Sequence, residues 1–276
     1  MRFVVVPQWQ GSGSSRAMRL ADGAHAVLGD LPSRATTLVE VPVGAGDALG
    51  TRVPRLSSVL TIARSVAREV REGGDGPVLV VGGDASVELA AVPAVLGDAT
   101  AVVWFSARPS LLPPGATGAS GLEDSVVRAL LGDLGDELPP VEPGVAARRL
   151  TTDRLVLAGA RSWDDVEDAW ADAAGVACVS TLDLEGDDLV EAVAATGATE
   201  VYLHVDLDVL DPATFDGLLD PQPFGVQPAT LVAAITALRE RFTVVGAGLC
   251  SFAPVDADAA GDDLGTILRV VGALSR

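Results

Sequence analysis

The segment His204–Pro212, HVDLDVLDP, concentrates the residue types that do chemistry. In an extended strand alternate side chains share a face, so His204, Asp206 and Asp208 are expected on one side and Val205, Leu207 and Val209 on the other. Two carboxylates held that close repel and raise each other's pKa unless a cation lies between them. A divalent metal is one reason to build such a pair. The other is a strand end that caps a turn, with Asp211-Pro212 as the turn itself. Spacing alone leaves both readings open. Two further segments follow apolar runs in the same way. In GGDAS, Gly82–Ser86, paired glycines permit a tight turn and Asp84 or Ser86 can cap a helix. SARPS, Ser106–Ser110, follows Trp104-Phe105. Cys178 and Cys250 stand alone in apolar runs, form no CxxC, and are expected as small core residues.

These segments need a scaffold that brings strand ends together. Strands are expected at Phe3–Pro7, Thr37–Val43, Val78–Gly82, Ala101–Phe105, Arg154–Gly159, Ala177–Thr181, Val201–Asp206 and Phe242–Ala247. Most are continuous Val/Leu runs, which suit strands buried on both faces in a parallel sheet. Helical patterns lie between them. Arg55–Arg71 carries Val59, Ile62, Ala63, Val66 and Val70 on one stripe. Asp164–Ala174, Pro228–Arg241, with proline in its first turn, and Asp262–Leu274 read the same way. About eight strands alternating with helices predict one doubly wound α/β domain over residues 1–276. The long Gly/Pro/Ser-rich stretch Arg108–Gly121 follows a strand end, where open α/β sheets place ligands. His25 is expected on a helix surface, and Trp9 at the pocket mouth or simply packed.

Composition narrows the function classes. The chain has 276 residues, 49% of them hydrophobic and 21% charged, enough apolar side chains for a substantial core. Its 19 basic residues are all arginine, against 38 acidic ones, for a net charge of −19. Such a chain gains nothing from counterion release on a phosphate backbone or from an anionic bilayer, so nucleic-acid and membrane partners are not expected. No apolar stretch is long enough for a membrane span, the first residues read as a strand rather than a signal segment, and a cytoplasmic location is expected.

In order and spacing these motifs resemble the ureohydrolases: arginase, agmatinase and their relatives. VPQWQGSG, Val6–Gly13, suggests a bacterial arginase-like branch. That family is marked by GGDHS or GGDCG, then DAHxD, SGxxHG, SxDxDxxDP or HxDLDxxDP, and a Glu-x-x-Pro near the C-terminus. All five places can be found here, and Trp104–Gly132 aligns without a gap. The resemblance implies a three-layer αβα arginase-like fold with a mostly parallel sheet. It also implies two Mn²⁺ ions on four aspartates and two histidines, activating a hydroxide that attacks a guanidinium carbon. By the same resemblance the GGDH histidine falls on Ala85, and the DAHxD ligands on Ser106, Arg108 and Ser110. The loop histidine falls on Glu123 and the guanidinium-orienting glutamate on Ser251. Asp206 and Asp208 are kept, as remnant metal residues, so four of the six ligand positions are substituted.

The expectation from this pattern is a protein that has lost most of the dinuclear site and holds no cofactor. It would serve as a pseudoenzyme, a structural or regulatory subunit. Its partners would be copies of itself, in a trimer or hexamer by resemblance, or an intact homologue. Arg108 is expected to neutralise Asp206 or Asp208, since a guanidinium can pair bidentately with a carboxylate. The alternative is a repurposed metal-free enzyme. Arg108, Glu123, Asp206 and Asp208 would then be its acid/base groups, and Arg108, Glu123, His204 and Ser251 would touch a small cationic or amine-bearing ligand. A third reading keeps a residual hydrolase of C–N bonds in a guanidino- or amidine-type molecule. It would use one cation on Asp206, Asp208 and His204, or new donors at Glu123 and Asp124. His204 also has a plain structural role open to it, as a buried hydrogen-bonding group.

Overall fold

The computed structural model describes residues 1–74, 76–145 and 147–275. Eight strands form one sheet: β1 (Arg2–Val6), β2 (Thr36–Leu38), β3 (Val78–Gly82), β4 (Thr100–Phe105), β5 (Leu155–Ala158), β6 (Ala177–Val179), β7 (Glu200–Asp206) and β8 (Thr243–Cys250). Their order is β2-β1-β3-β8-β7-β4-β5-β6, and every pairing is parallel. Eight helices accompany them among the described residues: α1 (Met18–Leu28), α2 (Leu56–Glu72), α3 (Glu88–Val95), α4 (Val126–Leu130), α5 (Asp165–Ala174), α6 (Asp188–Ala195), α7 (Pro228–Arg241) and α8 (Ala257–Ser275).

The alternation of the strands divides the core into two layers. Phe3 and Val5 of β1 pack with α1, α6, α7 and α8 through residues such as Val27, Val193, Ile235 and Ile267. Val4 and Val6 face the other way, onto α2, α3, α4 and α5, through Val59, Ile62, Val92, Val127 and Ala171. Helices on both faces explain why the central strands carry no polar alternation. Because the strands are parallel, all their C-terminal ends reach one rim. Late strands β7 and β8 sit in the middle, so the chain crosses over at the centre of the sheet, the place where such sheets open a crevice.

Some elements differ from expectation. Strand β2 stops at Leu38, although apolar residues continue to Val43; Val43 lies 97% exposed, beyond the edge of the sheet. Strand β8 runs on to Cys250, because Gly246 and Gly248 belong to the ladder with β7. Helix α8 begins at Ala257, and α3 forms despite Pro93 inside it. Cys250 is buried as expected, whereas Cys178 is exposed, on edge strand β6. His25 is exposed, and Trp9 packs against Ala17, Leu20 and Ala253, with the Arg55 guanidinium 5.3 Å from its ring. Among the described residues no helix is long and apolar enough to cross a membrane.

Candidate functional site

A cavity of about 340 Å³ opens at the C-terminal rim over β3, β4, β7 and β8. Its lining includes Ala85, Ser106, Arg108, Ser110, Glu123, Asp206, Asp208 and Ser251, which the sequence motifs placed far apart in the chain. Asp124, Asp220 and Arg16 join them.

Strand β7 ends at Asp206, and a single 3-10 turn, Leu207–Val209, follows. The Asp206 carboxylate caps that turn, accepting from the Asp208 amide at 3.3 Å. Burial first, and Asp208 second, push the Asp206 carboxyl well above the ordinary range; Ser251, the Asp208 amide and Arg108 oppose the shift in decreasing order. Asp208 turns toward the end of β4, where its Oδ1 accepts from the Ser106 hydroxyl at 3.0 Å and the Ala107 amide at 2.8 Å. The Ser106 oxygen in turn accepts from the Arg108 amide at 3.1 Å. The two aspartates therefore have different partners, one capping its own turn and one tied to the neighbouring strand end.

Arg108 does not ion-pair with Asp206 or Asp208. It forms a salt bridge with Asp220 across the cavity mouth, and its Nη1 lies 3.9 Å from Asp124. The reason is competition: Asp208 already has two donors, while the Gly/Pro-rich segment after β7 brings Asp220 to the guanidinium. Asp124 holds the end of the loop after β4, accepting from the Ser120 and Gly121 amides at 2.8 and 3.1 Å. Glu123 accepts from the Gly13 amide at 3.2 Å. Burial, with Asp84 and Asp124 nearby, pushes the Glu123 carboxyl well above the ordinary range against the pull of Ser12.

Asp84 is fully buried and anchors the turn after β3. Its carboxylate accepts from the Ser86 and Gly11 amides, both at 2.9 Å, and from the Gln8 amide group at 3.0 Å. A side chain at Gly83 would meet the Gln8 carbonyl at 1.9 Å, so glycine there lets the β1 and β3 loops touch. Behind Asp208, the Arg161 guanidinium donates to a row of backbone carbonyls that includes Asp208, Val209, Gln222 and Pro223, at 2.8–3.2 Å. Two lining serines, Ser110 at φ 55° and Ser251 at φ 70°, hold the left-handed conformation, which costs a non-glycine residue about 1 kcal/mol or more.

His204 is not in the cavity. Its ring lies one layer lower, fully buried, with Nδ1 2.8 Å from Glu88 Oε1 and the Trp104 ring stacked on it at 3.5 Å. Tyr202, two residues earlier, donates to the other Glu88 oxygen at 2.6 Å. Burial, then Glu88, push the Tyr202 hydroxyl well above its ordinary range. Glycines make the room: Gly246 pairs with Tyr202 and Gly248 with His204 on β8, and a side chain at Gly248 would overlap Glu88. Among the described residues, the one group of three or more His, Cys, Asp or Glu with donor atoms within 4.8 Å of one another is Glu88, His204 and Cys250. Glu88, Tyr202 and Asp220 carry no local signal in the sequence, since each acquires its role from a partner far away in the chain.

The fold and the family are both recognisable from comparison. Entamoeba histolytica arginase, solved with L-ornithine, superimposes with a TM-score of 0.84 at 17% identity, over 99% of this chain and 97% of that one. Bacillus cereus arginase gives 0.77 at 20% identity over 98% of each chain. Formimidoylglutamase from Bacillus subtilis gives 0.75 at 16% identity, over 99% of this chain and 86% of that one. No curated protein matches the chain in sequence. The sequence profile of the arginase family matches residues 15–267, so the chain belongs to the arginase family.

Proposed function

We propose that this arginase-family chain does not perform two-manganese hydrolysis and serves as a structural or regulatory subunit. It would assemble with copies of itself, as a trimer or hexamer, or with an intact homologue. The observation that carries the proposal is the donor set around the cavity. Where the resemblance places six metal ligands stand Ala85, Ser106, Arg108, Ser110, Asp206 and Asp208: a methyl, two hydroxyls, a guanidinium and two carboxylates. Mn²⁺ favours carboxylate, imidazole and water, and a guanidinium offers only donors and a fixed positive charge. These residues do not fit a dinuclear cluster. With Asp208 already accepting from Ser106 and the Ala107 amide, two carboxylates also supply too few ligands for one tight ion.

The test is manganese titration by calorimetry, together with urea release from a panel of guanidino compounds. No stoichiometric binding and no turnover supports the reading. Two manganese ions per chain with turnover overturns it. Co-purification with an active homologue, or a defined homo-oligomer by light scattering, then separates the two kinds of subunit.

A second reading is favoured by one observation, the elevated carboxyls of Glu123 and Asp206 facing a cavity large enough for a small molecule. Carboxyls raised by burial and like-charged neighbours can serve as acids or bases without metal, on an amine- or amidine-type ligand. A thermal-shift screen of small amines and amidines decides it. A hit abolished by Glu123→Gln supports this reading, and an empty screen removes it.

A further inference from the structure

One layer below the cavity floor lies a second constellation that the proposed function does not use. Glu88, His204 and Cys250 are all fully buried, and their donor atoms lie within 4.8 Å of one another. They come from the first residue of α3, from β7 and from the end of β8. The backbone is cut away around them. A side chain at Gly248 would lie 1.7 Å from Glu88 Oε1, and one at Gly82 would come within 2.9 Å of the Cys250 sulfur. A buried carboxylate needs a compensating positive charge or a full set of donors. Among the described residues no arginine forms a salt bridge with Glu88; its partners are the Tyr202 hydroxyl and the His204 ring. The far nitrogen of that ring, Nε2, is buried with no hydrogen-bond partner.

We propose that Glu88, His204 and Cys250 form a structural site for one divalent cation of zinc type, taken up as the chain folds. Carboxylate, imidazole and thiolate together match a borderline-soft ion such as zinc rather than a hard one. The Tyr202 hydroxyl adds a fourth polar atom to the same cluster. The cation would supply the charge that Glu88 lacks. As the metal–sulfur bond forms, the Cys250 thiol releases its proton to solvent, so uptake is favoured by higher pH. Enclosure makes the site structural: with no open position for substrate, it ties α3 to the centre of the sheet. The site is separate from the cavity above, whose lining includes none of its residues.

The test uses the whole protein, produced in zinc-supplemented medium, dialysed without chelator and measured by elemental mass spectrometry. About one zinc per chain is expected, as for a closed structural site. Cys250→Ser should lower the content about tenfold or more, while Asp206→Asn with Asp208→Asn should leave it unchanged. Because Cys250→Ser is buried and could fail to fold, the unmodified chain produced with cobalt gives an independent reading. A thiolate-to-cobalt charge-transfer band in the near ultraviolet supports the site. Zinc near zero together with no cobalt band overturns it and leaves a purely hydrogen-bonded cluster. Metal that is present but lost with the Asp206/Asp208 pair also overturns it, and in that case the reading of a metal-free cavity falls too. Failure at Cys250 alone leaves that reading standing.

Discussion

Two layers of the same strand behave in opposite ways. At the rim, Asp206 and Asp208 face a cavity. Arg108 passes them by for Asp220, and Asp206 is left with burial and a like-charged neighbour as its main influences. One layer down, His204 and Tyr202 are fully buried among Glu88, Trp104 and two glycines. The upper layer is an assembly of loops joined at the strand ends, as Asp208 is to Ser106 and Ala107 and Arg108 is to Asp220. The lower layer is a packed polar core whose members come from three elements. Polar groups in the second setting are sealed from water, so losing one strands its neighbours; in the first, water in the open cavity can take a lost partner's place.

The largest effect should come from the lower layer. Glu88→Ala leaves a buried hydroxyl and a buried imidazole without their acceptor and is expected to cost about 3 kcal/mol or more. Urea denaturation measures it, and a cost below about 1 kcal/mol would mean that the cluster is not coupled. Arg161→Ala, which strips its donor from the carbonyl row behind Asp208, should cost about 2 kcal/mol by the same assay. The lysine variant should recover little, because a compact ammonium lacks the guanidinium's planar fork.

The third effect depends on pH. Asp206 and Glu123 are raised in the folded state, whereas unfolded carboxyls titrate near about 4. Folding therefore favours their protonated forms. Their contribution is full below about pH 4 and is lost as pH rises through the raised folded values. Asp206→Asn should thus be more stable than the parent at pH 7 and no more stable at pH 4. Loss of stability at pH 7 would reveal a cationic partner for Asp206. Ser251→Gly relieves the left-handed backbone and should gain about 0.5–1 kcal/mol, readable as a small rise in melting temperature. Smallest of all is Asp220→Asn. It breaks an exposed ion pair, worth less than about 1 kcal/mol, and an effect that vanishes in high salt would identify it as surface electrostatics.

The upper layer was largely legible in the sequence, because its residues sit in short motifs at strand ends. Continuous apolar runs announced seven of the strands within a few residues of their bounds. Helix α7 begins at Pro228 and ends at Arg241 as its periodicity indicates. Helix α3 gave no such warning: its sequence, ELAAVPAV, is apolar all round and carries a proline, so no amphipathic stripe marks it. The lower layer escaped for a different reason. His204 and Glu88 are 116 residues apart, and the space they share exists because Gly248 has no side chain. Arg108 pairs with Asp220 rather than with Asp206 or Asp208, and charge proximity along a motif says nothing about a partner that arrives from another loop.

Ser110 and Ser251 hold left-handed backbone angles at the cavity wall. Glycine adopts that conformation freely, and asparagine and aspartate tolerate it, but bulkier or branched residues do not. Variation at these two points is therefore limited by backbone shape before any question of chemistry arises. A library of variants aimed at this cavity is better spread over Ala85, Ser106, Arg108 and Glu123, whose backbones ask for no special residue.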